Sequence, residues 1–349
     1  MGVQPDDATP TDDPSGASPS DAETTPARGR FAPSPTGDLH VGNLRTAVLA
    51  WLAARGAGGS FVVRMEDLDR QQSDPALEQS QLADLATVGL DWDGEVVRQS
   101  ERFDLYHDAI RRLTEHDLVY ECYCTRREIR EEIAAAAEAP HGPPGAYPGV
   151  CRDLGDRDRR RRRDEGRPPA LRFRSDGEVV EFTDRIHGVS SAVVDDVVLR
   201  RNDGVPAYNL AVVVDDALQG VTDVVRGDDL LSSTPRQIAL QRMLGFPRPR
   251  YAHVPLVLDD EGRRLAKRKG LPVTLRDLAA VGVSPPDVQR WILRTLGPAV
   301  DVGLFRRDPS TGAISDPGGG LAAFVDGFHL AAVPTEPVVW SLDRMHEPG

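Results

Sequence analysis

The chain has 349 residues, of which 40% are hydrophobic and 28% are charged, and its formal net charge is −13. This length predicts two domains, or one large domain with an inserted module. The negative charge excludes general binding to polyanions, so any nucleic-acid contact requires a local basic patch. Three cysteines cannot form a disulfide framework, the apolar runs are too short to span a bilayer, and the N-terminus lacks the features of a signal peptide. We therefore expect a monomeric protein of the cytoplasm.

The first elements alternate between strand and helix. Residues 1–27 are polar and acidic and are predicted to be disordered. The apolar pattern and the glycine and proline positions then predict, in order, a strand over 29–32, a helix over 39–54, a strand over 60–64 and a helix that begins at Asp74-Pro75. This alternation predicts an α/β fold with a parallel sheet of the Rossmann type, whose first half lies in residues 28–120.

The composition changes after residue 120. Residues 121–192 contain all three cysteines, an alanine run, a loop rich in proline and glycine, and five consecutive arginines at 159–163. We expect an inserted module here, and we expect the five arginines either to contact RNA phosphates or to form an exposed charged loop. Residues 193–270 then supply the second half of the sheet domain, and 271–349 form a short helical and irregular region.

Two apolar runs in the second half of the chain, at 193–201 and 207–214, flank Asn202-Asp203-Gly204, which predicts a hairpin of two strands. Further strands are predicted over 221–226 and 254–258, and short helices around Leu275 and after Pro285-Pro286.

The first motif with chemical content is Arg30–Asn43, which reads Arg-Phe-Ala-Pro-Ser-Pro-Thr-Gly-Asp-Leu-His-Val-Gly-Asn. It predicts a strand end, a tight turn and a helix N-terminus, whose free N–H groups favour anions. His40 and Asn43 stand where they could donate to a phosphate, and Gly42 would let a flat base pack on the backbone. The alternative is a capped helix with an incidental histidine.

The second motif is the basic, glycine-flanked stretch Gly262–Gly270. It holds both lysines of the chain, Lys267 and Lys269, whereas the other 40 of the 42 Lys and Arg residues are arginine. A compact, mobile ammonium group could close on a triphosphate and neutralise the charge that develops on a departing pyrophosphate. The alternatives are a solvated basic turn and a coding bias toward arginine.

Taken together, the two motifs resemble the signatures of class I aminoacyl-tRNA synthetases of the glutamyl subgroup. His40–Asn43 is similar to their His-Ile-Gly-His motif, and Arg264–Arg268 to their Lys-Met-Ser-Lys-Ser loop, with Arg for the first lysine, Ala for the serine and Lys267 in the second-lysine position. The resemblance covers roughly residues 28–283, and four longer segments match in order: Arg30–Gly37, Arg64–Arg70, Tyr208–Asp216 and Val225–Gln237.

This resemblance implies activation of glutamate by ATP and Mg²⁺ to glutamyl-adenylate, without tRNA. The chain is more similar to the members that then attach glutamate to queuosine in tRNA(Asp), because few residues follow Lys267 and the insert carries a cysteine pattern similar to their zinc module. Two alternatives stay open. One is a truncated glutamyl-tRNA synthetase that charges a tRNA 3′ end, and the other is a non-catalytic binding protein of the same fold.

A structural zinc ion is expected in the insert. Cys122, Cys124 and Cys151 offer three thiolates, and tetrahedral zinc needs a fourth ligand. Chemistry alone favours His141, because Cys₃His sites are common, whereas the family pattern implies Tyr147. Three reduced thiols without a metal are the alternative.

The resemblance also implies where each substrate binds. Glutamate has two carboxylates and one ammonium, so Arg30 and Arg226 are suited to pair with carboxylates, Glu66 with the ammonium, and Tyr208 offers a hydroxyl and a flat wall. The neighbouring pocket positions are Phe31, Ala32, Pro33 and Ser34. ATP is expected at Gly42 and at the catalytic residues His40, Asn43 and Lys267. A solvated acidic turn at Glu66 and a surface ion pair at Arg226 are the alternatives.

Overall fold

The computed structural model describes residues 26–135, 147–265, 272–300, 306–307, 314–315 and 319–343. Its strands are β1 (Arg28–Phe31), β2 (Ser60–Met65), β3 (Val97–Arg98), β4 (Val119–Cys122), β5 (Ala170–Phe173), β6 (Val179–Asp184), β7 (Gly188–Val193), β8 (Val198–Arg200), β9 (Asp223–Gly227), β10 (Arg250–Val254), β11 (Val257–Leu258), β12 (Arg306–Arg307), β13 (Ile314–Ser315) and β14 (Val338–Val339).

The helices alternate with these strands. They are α1 (Val41–Gly56), α2 (Pro75–Thr87), α3 (Phe103–Glu115), α4 (Arg126–Ala135), α5 (Asp156–Asp164), α6 (Tyr208–Leu218), α7 (Thr234–Leu244), α8 (Leu275–Ala280) and α9 (Pro285–Arg294). No helix in the described part of the chain is long and apolar enough to cross a bilayer.

A seven-stranded sheet in the order β3-β2-β1-β9-β10-β6-β7 forms the centre of the molecule. Every neighbouring pair in it is parallel except β6–β7, which is an antiparallel hairpin at one edge. The α/β fold with a parallel Rossmann-type sheet is therefore confirmed. The strand order reverses between β1 and β9, and in open sheets of this kind the crevice for ligands lies at that point, outside the carboxyl ends of the strands.

Helix α1 is the crossover from β1 to β2, and most of its residues are buried. It lies so close to β1 that a Cβ added at Gly29 would approach the Cβ of Ala54 to 2.9 Å. Leu44, Val48 and Leu52 have no exposed surface and join the larger core cluster. The close contact sets the start of α1 beside the carboxyl end of β1.

The predicted hairpin around Asn202-Asp203-Gly204 is wrong in its second arm. The turn itself forms, with the Arg201 N–H donating to the Val205 carbonyl over 2.8 Å, but residues 208–218 form helix α6 instead of a strand. Seven consecutive residues of α6, from Leu210 to Asp216, are buried. When every side of a segment is buried, its sequence shows no alternation of apolar and polar residues. A short buried helix and a buried strand therefore cannot be distinguished from their hydrophobic pattern.

The segment 121–192 is divided between two sheets. Strands β4 and β8 each pair with β5 in a separate three-stranded sheet beside the cysteines, whereas β6 of the β6–β7 hairpin pairs with β10 in the central sheet. The arginines at 159–163 lie on helix α5, which has no buried residue, and three of them form ion pairs with acidic neighbours. Residues 1–25, for which disorder was expected, lie outside the described residues.

Part of the C-terminal region packs into the main core. Leu321, Phe324, Leu330 and Trp340 are at most 4% exposed. Strand β14 pairs in parallel with β11, and the Trp340 ring meets the Trp291 ring edge-on with a centroid distance of 4.9 Å. Helices α8 and α9, which the sequence predicted, contribute further residues to the same core.

Candidate active site

A cavity of about 750 Å³ opens at the carboxyl ends of β1, β2 and β9, next to the start of α1. It is lined by all the predicted glutamate and ATP residues that the structure describes, namely Arg30, Phe31, Ala32, Pro33, Ser34, His40, Gly42, Asn43, Glu66, Tyr208 and Arg226. Lys267 and Lys269 lie outside the described residues. Segments separated by almost two hundred residues in sequence thus meet around a single cavity.

His40 and Asn43 form a reciprocal cap at the start of α1. The Asn43 N–H donates to Nδ1 of His40 over 3.2 Å, and the His40 N–H donates to the Asn43 side-chain oxygen over 3.1 Å. Because Nδ1 accepts a hydrogen bond, a neutral His40 carries its proton on Nε2, where it is a donor. A Cβ at Gly42 would lie 3.0 Å from the His40 ring, so glycine keeps the imidazole in this position.

One described end of the basic loop lines the cavity, and the other is hydrogen-bonded to the start of α1. Arg264 and Leu265 line it, and the Leu265 N–H donates to the Val257 carbonyl over 3.0 Å. On the far side of the loop, the Val41 N–H donates to the Val273 carbonyl over 2.8 Å. Nη1 of Arg264 forms an ion pair of 2.5 Å with Asp229, which also lines the cavity.

A buried network of charges supports the acidic side of the cavity. Arg64 has no exposed surface and donates to Asp216 over 2.8 Å, and it lies 3.5 Å from Glu66. Nε of Arg30 lies 3.5 Å from the same Asp216 carboxylate. Burial alone would raise the pKa of Asp216, but the Arg64 and Arg30 guanidinium groups hold it below its usual value. Burial raises the pKa of Glu66 despite the same two arginines.

Arg226 supplies the basic side of the cavity. Its side chain donates to neutral groups, from Nε to His253 over 3.0 Å and from Nη2 to Thr234 over 2.8 Å. In the part of the chain that the structure describes, no carboxylate forms an ion pair with Arg226, and its buried Nη1 has no hydrogen-bond partner. Tyr208 also lines the cavity, and burial together with the nearby Glu66 charge raises its pKa to about 12, so its hydroxyl stays protonated.

Several residues of the cavity and of the charge network beside it were missed by the sequence reasoning as site residues. Gln81 is 1% exposed and donates to the carbonyls of Ser34 and Gly37 over 3.0 and 2.6 Å, which fixes the turn between β1 and α1. Asp216 and Asp229 lie in segments that match the family, but no local pattern assigned them a role. A helical glutamine has no sequence signal that points to a turn more than forty residues away.

The three cysteines meet in one cluster, separate from this cavity. Their sulfur atoms all lie within 4.8 Å of one another. The Tyr147 hydroxyl lies 3.4 Å from Sγ of Cys122 and 3.4 Å from Sγ of Cys124. In a zinc tetrahedron with ordinary bond lengths, S···O and S···S separations are about 3.5 and 3.8 Å, so the donor set fits such an ion. His141 lies outside the described residues.

The chain matches known proteins over most of its length. The family model for the catalytic domain of class I tRNA synthetases (E and Q) covers residues 26–301. A glutamyl-Q tRNA(Asp) synthetase of Nocardia farcinica is 60% identical over 276 residues, which are 79% of this chain and 86% of that protein. A glutamate–tRNA ligase of Nitratidesulfovibrio vulgaris is 45% identical over 76% of this chain and 56% of its own length.

The fold agrees with these matches. The crystal structure of a glutamate tRNA ligase from Elizabethkingia meningosepticum in complex with its amino acid superposes with a TM-score of 0.73 at 27% identity, over 92% of this chain and 68% of that one.

The charge network predicts a large stability loss on Asp216→Leu. Removing this carboxylate leaves two buried guanidinium groups undercompensated, and the free energy of unfolding should fall by about 3–5 kcal/mol. Because the folded-state pKa of Asp216 is lowered, this contribution is present above the unfolded carboxyl pKa of about 3.9 and is lost as the pH falls through the lowered value. Urea unfolding at neutral and acidic pH measures both effects.

The control is Asp108→Leu, at an exposed carboxylate that pairs with Arg111 within a helix. It should change stability by no more than about 0.5 kcal/mol. Equal losses for the two variants would contradict the role given to Asp216.

Proposed function

The chain belongs to the class I tRNA synthetases of the E and Q group. On that premise we propose that it activates L-glutamate with ATP and transfers it to queuosine in tRNA(Asp). We also propose that it acts in the cytoplasm. In the first step an α-carboxylate oxygen of glutamate attacks the α-phosphorus of ATP, and pyrophosphate leaves. In the second step a hydroxyl of queuosine attacks the carbonyl carbon of glutamyl-adenylate, and AMP leaves.

The unpaired charge of Arg226 is the observation that carries the glutamate assignment. A buried guanidinium without a carboxylate partner is costly, and a substrate carboxylate would compensate it. Arg226 is 5% exposed, lines the cavity and has no ion pair among the described residues. Arg30 offers a second cationic group, and Glu66 across the same cavity offers the acid that an α-ammonium needs. The cavity therefore presents charges complementary to glutamate.

The ATP phosphates fit the N-terminal end of α1. The Nε2–H of His40 is a donor, and the first N–H groups of a helix favour anions. Gly42 lines the same wall, where its lack of a side chain leaves room for the nucleoside. Two peptide units join Lys267 to Leu265, which lines the cavity, and they span at most about 7 Å. Mg²⁺, when bound, would neutralise charge on the phosphate oxygens.

Positioning and charge neutralisation account for the activation step without a covalent enzyme intermediate. Arg30 and Arg226 orient glutamate, and Glu66 holds its ammonium group. His40 and Asn43 orient the phosphates, and Lys267 stabilises the departing pyrophosphate. Each of these side chains stabilises a charge on glutamate, on the ATP phosphates or on the departing pyrophosphate. A preformed cavity can supply this electrostatic stabilisation because the positions of these charges are fixed.

The relatives favour queuosine over a tRNA 3′ end as the acceptor. The relative named for glutamyl-Q tRNA(Asp) shares 60% of its aligned residues with this chain, and the glutamate–tRNA ligase shares 45%. The alignment with this chain covers 86% of the glutamyl-Q tRNA(Asp) synthetase but only 56% of the glutamate–tRNA ligase.

Two assays test the function. Purified protein with glutamate should catalyse exchange of label between pyrophosphate and ATP in the absence of tRNA. With ATP and labelled glutamate, it should charge tRNA from cells that make queuosine and leave tRNA from queuosine-deficient cells uncharged.

The outcomes separate the alternatives. Charging of queuosine-free tRNA at the same rate would identify a truncated glutamyl-tRNA synthetase. A complete lack of exchange with glutamate would support a non-catalytic binding protein of the same fold.

Lys267→Ala should slow the exchange reaction by about a hundredfold or more, because it removes a contact that strengthens as pyrophosphate departs. Lys269→Ala is the matched control, with the same charge change two residues further along the loop, and its rate should stay within a few-fold of wild type. Equal effects of the two variants would show that the loop contributes only general positive charge.

We also propose that Cys122, Cys124, Tyr147 and Cys151 hold one structural zinc ion. The three sulfur atoms lie within 4.8 Å of one another, and the Tyr147 hydroxyl lies 3.4 Å from two of them, so one ion could contact all four groups. The cluster lies at the end of β4, and Cys122 itself is a residue of that strand. When bound, zinc would link β4 to the segment around Cys151. It would take no part in the reaction at the cavity.

Metal analysis of the purified protein should find one zinc ion per chain. Tyr147→Phe should release it to a chelator that the wild-type protein resists, because one of four ligands is lost, whereas His141→Ala should retain it. If the histidine variant alone loses zinc, His141 is the fourth ligand and the assignment to Tyr147 is wrong.

A further inference from the structure

Three neighbouring strands of the central sheet each carry one buried polar side chain at or near their carboxyl end, and these three side chains contact one another in series. Arg226 lies near the end of β9, and His253 is its register partner on β10. Asp184 is the last residue of β6, which is the next strand in the sheet. Arg226, His253 and Asp184 are 5%, 0% and 2% exposed. The series runs across the sheet from β6 through β10 to β9 and ends at Arg226, which lines the cavity.

The hydrogen bonds define the protonation state of the histidine. Nε of Arg226 can only donate, so Nε2 of His253, 3.0 Å away, must accept. Nδ1 therefore carries the proton and donates it to the Asp184 carboxylate over 2.7 Å. A proton on Nε2 would place two N–H groups against each other. Burial and the Arg226 charge also lower the pKa of His253, in keeping with a neutral ring.

Asp184 is itself held in one orientation. Its carboxylate accepts from the N–H groups of Ile186 and His187, each over 3.0 Å, and from the backbone N–H of His253 over 3.1 Å. The imidazole is thus fixed at both ring nitrogens, by a rigid carboxylate on one side and a guanidinium on the other.

The same contacts leave one nitrogen of the Arg226 guanidinium without a hydrogen-bond partner among the described residues. Its Nε is held by His253 and its Nη2 by Thr234, while the buried Nη1 has no partner in the described part of the chain. An arginine side chain loses substantial conformational freedom when it binds a ligand, and a side chain that is already fixed loses less. The restraint therefore favours binding of an anion by Arg226, which lines the cavity.

From this geometry we propose that His253 and Asp184 are positioning residues for glutamate: Asp184 fixes the tautomer of His253, and His253 holds the guanidinium of Arg226 toward the substrate carboxylate. The proposal rests on the proposed function, in which Arg226 binds glutamate. It predicts that the two residues act on glutamate binding through Arg226 and not on ATP binding.

The test uses pyrophosphate exchange by the full chain, with KM measured separately for glutamate and ATP. His253→Gln should raise the glutamate KM about tenfold to a hundredfold, the usual effect of losing a hydrogen bond to a charged group, with kcat and the ATP KM within about twofold of wild type. Asp184→Asn should raise the glutamate KM in the same direction. His107→Gln is the control, because it makes the same substitution at an exposed histidine of α3. It should leave kcat, the glutamate KM and the ATP KM unchanged.

A double-mutant cycle distinguishes positioning from general damage. In an Arg226→Ala background, adding His253→Gln should change the glutamate KM less than about twofold, because its effect acts through the missing guanidinium. If the two effects instead multiply, or if the ATP KM rises equally, His253 has only a structural role and the proposal is overturned.

Histidine ¹⁵N NMR of the unaltered protein gives a readout that needs no variant to fold. At least one neutral histidine should show the Nδ1–H form at neutral pH, and a spectrum with all eight histidines in the Nε2–H or charged form would overturn the proposal. If wild-type protein shows no exchange, the proposed function fails and this proposal with it. If Arg226→Ala raises the glutamate KM and His253→Gln does not, this proposal alone fails.

Discussion

The site is built around the need to compensate arginine charges that the central sheet buries. Arg30, Arg64 and Arg226 are each at most 5% exposed, and a buried charge requires a partner of opposite charge or a set of aligned hydrogen bonds. Asp216 serves the first two, whereas Arg226 contacts only neutral protein groups among the described residues. The first two arginines thus belong to the scaffold as well as to the cavity, and the positive charge of the third remains for a ligand.

Local sequence was enough to predict the centre of the fold, and together with the family resemblance it identified eleven of the residues that line the cavity. The turn after Arg30, the helix cap at His40 and the strand before Glu66 are determined by prolines, glycines and apolar runs within a few residues of each side chain. Since the carboxyl ends of parallel strands meet at one edge of a sheet, predicting these elements correctly was sufficient to bring their motifs together. The family resemblance indicated which of these residues form the substrate pocket, including Tyr208 and Arg226, which lie far along the chain.

The features that the sequence did not reveal depend on contacts between distant residues. His253 and Asp184 are 69 positions apart and become neighbours only because β6 pairs with β10. The composition change after residue 120 had assigned Asp184 to an inserted module, although its strand belongs to the central sheet. Helix α6 was read as a strand for a related reason, because burial on every side removes the period that separates the two structures.

The pairing of β14 with β11 places the C-terminal region directly behind the wall of the cavity that Leu256, Val257 and Arg264 form. The N–H groups of Val338 and Trp340 donate to the carbonyls of Leu256 and Leu258 over 3.0 and 2.8 Å, and the chain turns from there into the basic loop at Arg264. A proteolytic nick, a fused tag or a competing peptide that displaced residues 338–340 would remove the two backbone hydrogen bonds that hold Leu256 and Leu258. Catalytic competence would then respond to a segment that does not itself line the cavity.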